Sequence, residues 1–477
     1  MRKQSTWKAR LDDGAGLLHD RLAAALATDI VEQVIEDGAR LPPHRELAYQ
    51  LKIGVSTVTR AYALLEKQGL ARSEKGRATF AVGVGAAPGS HVDLSVNVPP
   101  RVVSDLLLSQ TLAKVAKSID VNTFNSLAPT VGTYSYRSTL AGWISSRRIS
   151  VNADDLILCN GAQYALAVAF GTLRTCSNVV LTEHLPYAGI EPLLKMANLE
   201  IVGLPIDKEG IVPQDLERCL ANNRSRFKNP ILYVTPTAHN PSGCTMGRLR
   251  REQIARVCRA FDVTIVEDDV YAVLGCRNAG PIREIAPERT FYVSGLSKTL
   301  TPGLRVGFLI CPARSKEAAR AVMDSIGASV SPLSCLIMER WILDGTADHL
   351  FSRVQIEAVK RASFASDVLG IELPVTSTFH AFLPLSFSQA TALSERAMNL
   401  GVRTSKPSVS LFNSSNERSG GLRLCLGSPS FEKLRAAMLI VRDLYDETLT
   451  SGPMRAVTQQ NACRATYGSD GAQPLQG

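Results

Sequence analysis

The sequence predicts a small, mainly helical module in front of a large α/β domain. That domain has a mostly parallel sheet and a smaller α+β part. Three observations predict this. Apolar residues recur at helical spacing early in the chain, then give way to a short hairpin pattern. From about residue 155, apolar runs of strand length alternate with helical segments, as in a sheet buried on both faces. The chain has 477 residues, which is too long for one simple core.

The elements follow in order. Leu22, Leu26 and Ile30 predict a helix over 17–37, with Gly38 as its C-cap. Leu41-Pro42-Pro43 breaks the chain. Arg45 to Leu51 reads as a second helix, and Gly54 to Lys67 as a third with Val58, Tyr62 and Leu65 on one face. Leu70–Ser73 and Gly76–Phe80 read as a two-stranded wing. This layout is a winged helix-turn-helix over 11–82. Residues 83–91 form a Gly-, Ala-, Pro- and Ser-rich linker. The second domain spans 92–450, with strands at Leu156–Cys159, Val179–Leu181, Ile231–Val234, Val263–Val266, Phe291–Val293 and Val306–Cys311. Helices lie at Gln163–Leu173 and Arg250–Ala260. Beyond about 313 the pattern is mainly helical, with short strands near Phe382–Leu385 and Leu422–Leu426. Residues 451–477 are polar, lack periodicity and read as a disordered tail.

Bulk properties narrow the class. The chain is 45% hydrophobic and 20% charged, as is usual for a globular protein. No apolar run approaches the ~18 residues of a membrane span. The charged start lacks the apolar core of a secretory leader. Ten scattered cysteines without a Cys-x-x-Cys pair read as free thiols in a reducing cytoplasm, and predict no metal site. A net charge of +9 suits a nucleic-acid or phosphate partner, although it is spread along the chain.

In the front module, burying Val58, Tyr62 and Leu65 turns Ser56, Thr57, Thr59, Arg60 and Ala63 outward. Small hydroxyls and an arginine reach base edges and phosphates in a major groove without steric bulk. Arg45 is placed for a phosphate, and Lys75 and Arg77 on the wing for the neighbouring backbone. Leu41-Pro42-Pro43-His44-Arg45-Glu46-Leu47-Ala48, Thr57-Val58-Thr59-Arg60-Ala61-Tyr62 and Leu64-Leu65-Glu66-Lys67-Gln68-Gly69-Leu70 closely resemble the GntR family of bacterial regulators. Gly54 departs from that family's usual Ser or Thr N-cap, at a small cost.

The second domain carries a lysine, Lys298, behind an apolar strand and among small residues. Arg305 follows seven positions later. Such a lysine is suited to a Schiff base with an aldehyde, and such an arginine to a phosphate. Pyridoxal 5'-phosphate needs both. It also needs an acid at its pyridine nitrogen, donors to its phenolic oxygen, amides at a helix N-terminus and an aromatic on its ring face. Each need has a residue at a strand end. Asn160-Gly161-Ala162-Gln163 offers amides, and Tyr187 can stack. Asn240 and Tyr271 can reach the phenolic oxygen, and Asp268 the nitrogen. Asn-Pro-Ser-Gly alone makes a turn, and Glu-Asp-Asp alone a solvated loop. Their joint order at strand ends is the signal.

His239-Asn240-Pro241-Ser242-Gly243, Asp268-x-x-Tyr271 and Ser297-Lys298-x-x-x-Pro302-Gly303-x-Arg305-x-Gly307 resemble the motifs of class I aminotransferases of PLP fold type I, from about 92 to 450. The resemblance gives Arg423, in Leu422-Arg423-Leu424, the substrate carboxylate, and implies a homodimer. With the GntR-like module the whole chain resembles the MocR subfamily of GntR regulators. The implied function is a PLP-dependent, DNA-binding regulator that senses an amino compound through an aldimine at Lys298. An active aminotransferase with an attached DNA-binding module is the alternative. Gly295 departs from the family where a serine often holds the phosphate; Ser294 or Ser297 stands nearby to replace it.

Overall fold

The computed structural model describes residues 11, 17–31, 34–35, 38–67, 70–74, 78–81, 91–147, 149–272, 274, 279–327, 329–373, 378–409, 411 and 419–451. The chain divides into two compact units, Met1–His91 and Val92–Gly477. Residues 83–90 of the expected linker, the tail from 452, Lys75 and Arg77 lie outside the described residues.

The first unit has helices α1 (Leu18–Val31), α2 (His44–Leu51) and α3 (Val55–Lys67). The antiparallel strands β1 (Ala71–Glu74) and β2 (Ala78–Ala81) follow. Leu22, Leu26 and Ile30 of α1 meet Leu47 of α2 and Val58, Tyr62 and Leu65 of α3 in one core. The helix expected to reach residue 37 ends at Val31, and Gly38 does not cap it. The wing takes the following segment instead: Gly38 N–H donates to Ala81 O at 2.9 Å, and Leu41 N–H to Thr79 O at 2.9 Å. Sheet pairing thus outcompetes helical periodicity. The positive φ of Gly38 (73°) makes the turn into that pairing.

The second unit begins with β3 (Val92–Leu94) and is built on a seven-stranded sheet. Its strands are β4 (Leu156–Cys159), β5 (Val179–Glu183), β6 (Glu200–Leu204), β9 (Ile231–Val234), β10 (Thr264–Asp268), β11 (Thr290–Gly295) and β12 (Gly307–Ile310). The small pair β7 (Ile206–Asp207) and β8 (Gly210–Ile211) stands apart. The order is β4-β12-β11-β10-β9-β5-β6. Only β12 is antiparallel to its neighbours in this sheet, so the expected mostly parallel sheet is present. Alternate residues face separate cores. Ile231 and Tyr233 pack with the helix Ala162–Leu173, whereas Leu232 and Val234 pack with the helix Arg248–Ala260. Burial on both faces explains the unbroken apolar runs.

The smaller part holds β13 (His380–Ser386), β14 (Val402–Thr404), β15 (Ser408–Val409) and β16 (Ser419–Cys425). β13, β16 and β15 form an antiparallel sheet, while β14 pairs in parallel with β3. The residues just after β3 are thereby brought beside β16.

Candidate functional site

In the second unit, the segments after β4, β5, β9, β10 and β11 converge on one cavity of ≈ 290 Å³. This is the carboxyl edge of the parallel strands, where open α/β sheets bind ligands. Ala162, Gln163, Tyr187, Asn240, Asp268, Tyr271, Ser297, Lys298, Arg305 and Arg423 line it. These sequence-predicted residues are therefore brought together.

One end of the cavity is built for an anion. Gly161 caps the helix Ala162–Leu173 with φ +83°. A Cβ at Gly161 would lie 2.8 Å from Arg305 Nη2, and one on Gly307 would lie 2.6 Å from the Ala162 nitrogen. These glycines let a guanidinium and helix N-terminal amides share one small space. Arg305 donates to Asn160 O at 3.2 Å, which holds it there. The Gln163 side chain is spent on Gly189 O at 2.7 Å, so only its backbone remains for the anion. Ser294 does not replace a hydroxyl at Gly295, because its Oγ donates to Asp269 O at 3.0 Å. Ser297 Oγ is buried without a partner and its residue lines the cavity. Gly295 itself pairs with Gly307, and a Cβ there would crowd Val306 O at 3.1 Å.

Asp268 ends β10 deep in the site. Its Oδ2 accepts from the Tyr233 hydroxyl at 2.9 Å, whereas Oδ1 is buried without a partner. Burial pushes this carboxyl up to about 7, against the pull of the Tyr233 hydrogen bond. An N–H cation on Oδ1 would satisfy both the lone pair and the charge.

Lys298 donates to the backbone oxygen of Asn97. Burial lowers its pKa to about 8, so its ammonium gives up a proton far more readily than an ordinary lysine's does. Asn97 Nδ2 donates to the Tyr271 hydroxyl at 2.8 Å. Arg423 Nη1 donates to Asn240 Oδ1 at 2.7 Å, which leaves the Asn240 amide hydrogens free to face the cavity. Arg423 Nη2 holds Ser95 O at 3.2 Å, and Nε is buried without a partner. A carboxylate suits such a guanidinium better than a neutral carbonyl does.

Sequence reasoning missed Asn97, Ser95 and Tyr233. Asn97 and Ser95 stand in a segment read only as the start of a domain, and Tyr233 in a run read only as buried strand. No local spacing signals their contacts.

In the first unit, Ser56, Thr59, Arg60 and Ala63 are exposed on α3 and Arg45 on α2, while Thr57 is half-buried. Thr59 Oγ1 donates to Val55 O at 3.0 Å and meets His44 Nδ1 at 3.1 Å, so its hydroxyl is partly engaged.

Residues 90–438 match the family model "Aminotransferase class I and II", and residues 18–81 match "Bacterial regulatory proteins, gntR family". The chain is 24% identical to an uncharacterized HTH-type transcriptional regulator, YdeF of Bacillus subtilis, over 93% of this chain and 97% of that one. It is 24% identical to the probable rhizopine catabolism regulatory protein MocR of Rhizobium meliloti, over 73% of this chain and 76% of that one. Among solved structures, an archaeal alanine:glyoxylate aminotransferase superposes with a TM-score of 0.68 at 19% identity, covering 82% of this chain and 95% of that one. That last likeness is one of fold.

Proposed function

The chain belongs to the class I and II aminotransferase family, with a GntR-type module ahead of it, and from that premise we propose how this transcriptional regulator is controlled. Its aminotransferase-like domain is of the pyridoxal phosphate class, and the proposed effector is an amino compound read at Lys298. The observation that carries the reading is the unpartnered Asp268 Oδ1 in the same cavity as Lys298. A buried carboxylate oxygen, a buried unpaired hydroxyl at Ser297 and the glycine cradle at Gly161 and Gly307 fit a ring nitrogen and a phosphate.

In this reading Ala162, Gln163, Ser297 and Arg305 hold the phosphate, the first two by their backbone. Tyr187 would cover the ring, Asn240 and Tyr271 would donate to its oxygen, Asp268 would face its nitrogen and Lys298 would bond to it. When bound, the cofactor supplies an electrophilic carbon for which Lys298 and an incoming amine compete. Arg423 orients the amine by its carboxylate, exchanging Ser95 O for a charged partner. Lys298 loses its hold on Asn97 O whenever its nitrogen is bonded elsewhere. Both changes fall on residues 95–97, a few positions after the chain leaves the first unit. Two ligand states with different contacts are what a switch requires.

The DNA partner would be met by Arg45, Ser56, Thr57, Thr59 and Arg60, with Lys75 and Arg77 of the wing in addition. A homodimer reading two half-sites is part of the proposal. Exposed Leu106, Val121, Leu127 and Tyr134, close in sequence, support a second copy as a cover. A DNA partner implies a cytoplasmic protein.

The test uses the full chain loaded with pyridoxal phosphate, an operator selected from random duplexes and a panel of amino acids. An amine that alters the cofactor spectrum should also change operator affinity at least fivefold. Rapid multiple turnover with a keto-acid acceptor, and no amine effect on operator affinity, would favour the enzyme instead.

A further inference from the structure

Tyr271 is buried, with its ring packed against Phe379 at 5.5 Å and His380 at 5.8 Å between centroids. Packing fixes the ring but not the direction of the hydroxyl proton. A phenol has one proton to donate and lone pairs to accept with. Among the described residues Asn97 is the hydrogen-bond partner of this hydroxyl, and it donates through Nδ2 at 2.8 Å. A hydroxyl that accepts from Asn97 keeps its own proton for another acceptor. Tyr271 lines the cavity, so the proton can be given to an acceptor bound there.

Asn97 is itself firmly held. In the cofactor-free chain its carbonyl accepts from Lys298; two residues earlier Ser95 O accepts from Cys425 as well as from Arg423, and so keeps a partner when Lys298 and Arg423 are engaged elsewhere. Asp93 Oδ1 accepts from Ser95 N–H at 2.8 Å, making a local turn. On the other side, a Cβ on Gly427 would lie 1.9 Å from Val98 O, so this glycine lets the segment lie directly on the chain after β16. The segment thus presents the Asn97 amide to Tyr271.

We propose that Asn97 is a positioning residue that turns the Tyr271 hydroxyl proton into the cavity, toward the oxygen of the bound ring. The inference rests on the cofactor reading above. It assigns Asn97 a part in tuning the ring, in addition to its backbone contact with Lys298. Donation from Asn97 also strengthens Tyr271 as a donor, because a phenol that accepts a hydrogen bond is polarised toward giving its own.

The test is a double-mutant cycle between Asn97→Ala and Tyr271→Phe, with Asn97→Asp as a third variant. Circular dichroism confirms folding of each. Two quantities are read: cofactor affinity by equilibrium dialysis, and the pH midpoint of the visible band of the bound cofactor. Loss of a donor makes the ring oxygen more basic, so the midpoint rises. Asn97→Ala should weaken affinity roughly fivefold and raise the midpoint by about half a pH unit. In the Tyr271→Phe background it should change affinity less than about twofold and leave the midpoint in place. Asn97→Asp should raise the midpoint further than Asn97→Ala, since a carboxylate captures the hydroxyl proton. Equal effects of Asn97→Ala in both backgrounds would show a purely structural role and overturn the proposal. So would unchanged values in every variant. A wild-type chain that binds no cofactor would instead sink the reading on which the inference rests.

Discussion

Tyr233 donates its hydroxyl to Asp268 Oδ2 across two adjacent parallel strands, at 2.9 Å, and leaves Oδ1 without a partner. One oxygen is anchored so that the other has a defined direction. The hydrogen bond also opposes the effect of burial on the carboxyl, favouring the ionised form that a ring N–H needs. Tyr233→Phe should therefore weaken cofactor binding about tenfold, the loss expected for a hydrogen bond to a charged group. Asp268→Asn should weaken it more, because it removes the charge itself. Equilibrium dialysis checks both, and a Tyr233→Phe protein that binds as wild type would free Asp268 from this anchor.

Lys298 gives a pH prediction with a definite sign. Its pKa is lowered to about 8 by burial, and only the neutral amine attacks a carbonyl. The rate of cofactor attachment should rise with pH up to about 8 and then level off. Lys298→Ala should abolish attachment, seen as loss of borohydride-fixed mass, with the fold intact. The same shift bears on stability. Below pH 8 the folded chain carries a buried ammonium, and this penalty is fully present. It is relieved as pH rises from about 8 toward the ordinary lysine value, because there the unfolded chain binds more protons than the folded one. Lys298→Met should thus stabilise the cofactor-free protein at pH 7, by on the order of 1–2 kcal/mol since the cavity admits water. A lower melting temperature for Lys298→Met would contradict the assigned penalty.

Arg251 and Glu267 are both fully buried, with Nη1 and Oε1 3.6 Å apart. Arg251 also donates to Met246 O, Pro236 O and Thr237 Oγ1, and so pins the loop that carries Asn240. Glu267 accepts from the backbone of Ile282 at 2.8 Å and Arg283 at 2.9 Å. Burial, reinforced by Asp269, already pushes the Glu267 carboxyl up to about 7 against the pull of Arg251, so Arg251→Met would leave a buried carboxyl that must either take up a proton or stand uncompensated. The expected loss is about 3–5 kcal/mol in urea unfolding, with part recovered by adding Glu267→Gln. No recovery in the double variant would mean that the loop contacts, not the charge pair, carry the cost.

The legibility of these features follows the range of their contacts. Lys298, Asp268 and Asn240 were readable because each belongs to a short motif at the end of an apolar run, and strand ends are where such chemistry collects. Tyr233 was not, because its partner depends on β9 lying next to β10, and strand order is not written in any local pattern. Asn97 meets residues 174 and 201 positions away. Gly295 read as a missing hydroxyl, yet its pairing with Gly307 shows a place where a side chain would crowd backbone. The edge strand β6 went unread because Glu200–Leu204 is only half-buried and lacks the unbroken apolar run of its neighbours.

Arg60 tests the other unit separately. It is exposed on α3, on the side away from buried Val58, Tyr62 and Leu65. If it meets a phosphate, Arg60→Ala should weaken binding about equally for operator and random duplex, and reduce the salt slope by about one. If it meets a base edge, the loss should be about 1–3 kcal/mol on the operator alone, with the preference at one position relaxed. The cofactor spectrum should not change in either case, because the site residues all belong to the second unit. Gel-shift affinity measured at several salt concentrations separates the two contacts. An unchanged affinity and slope would remove Arg60 from the DNA surface and leave Arg45, the α3 hydroxyls, Lys75 and Arg77 to form it.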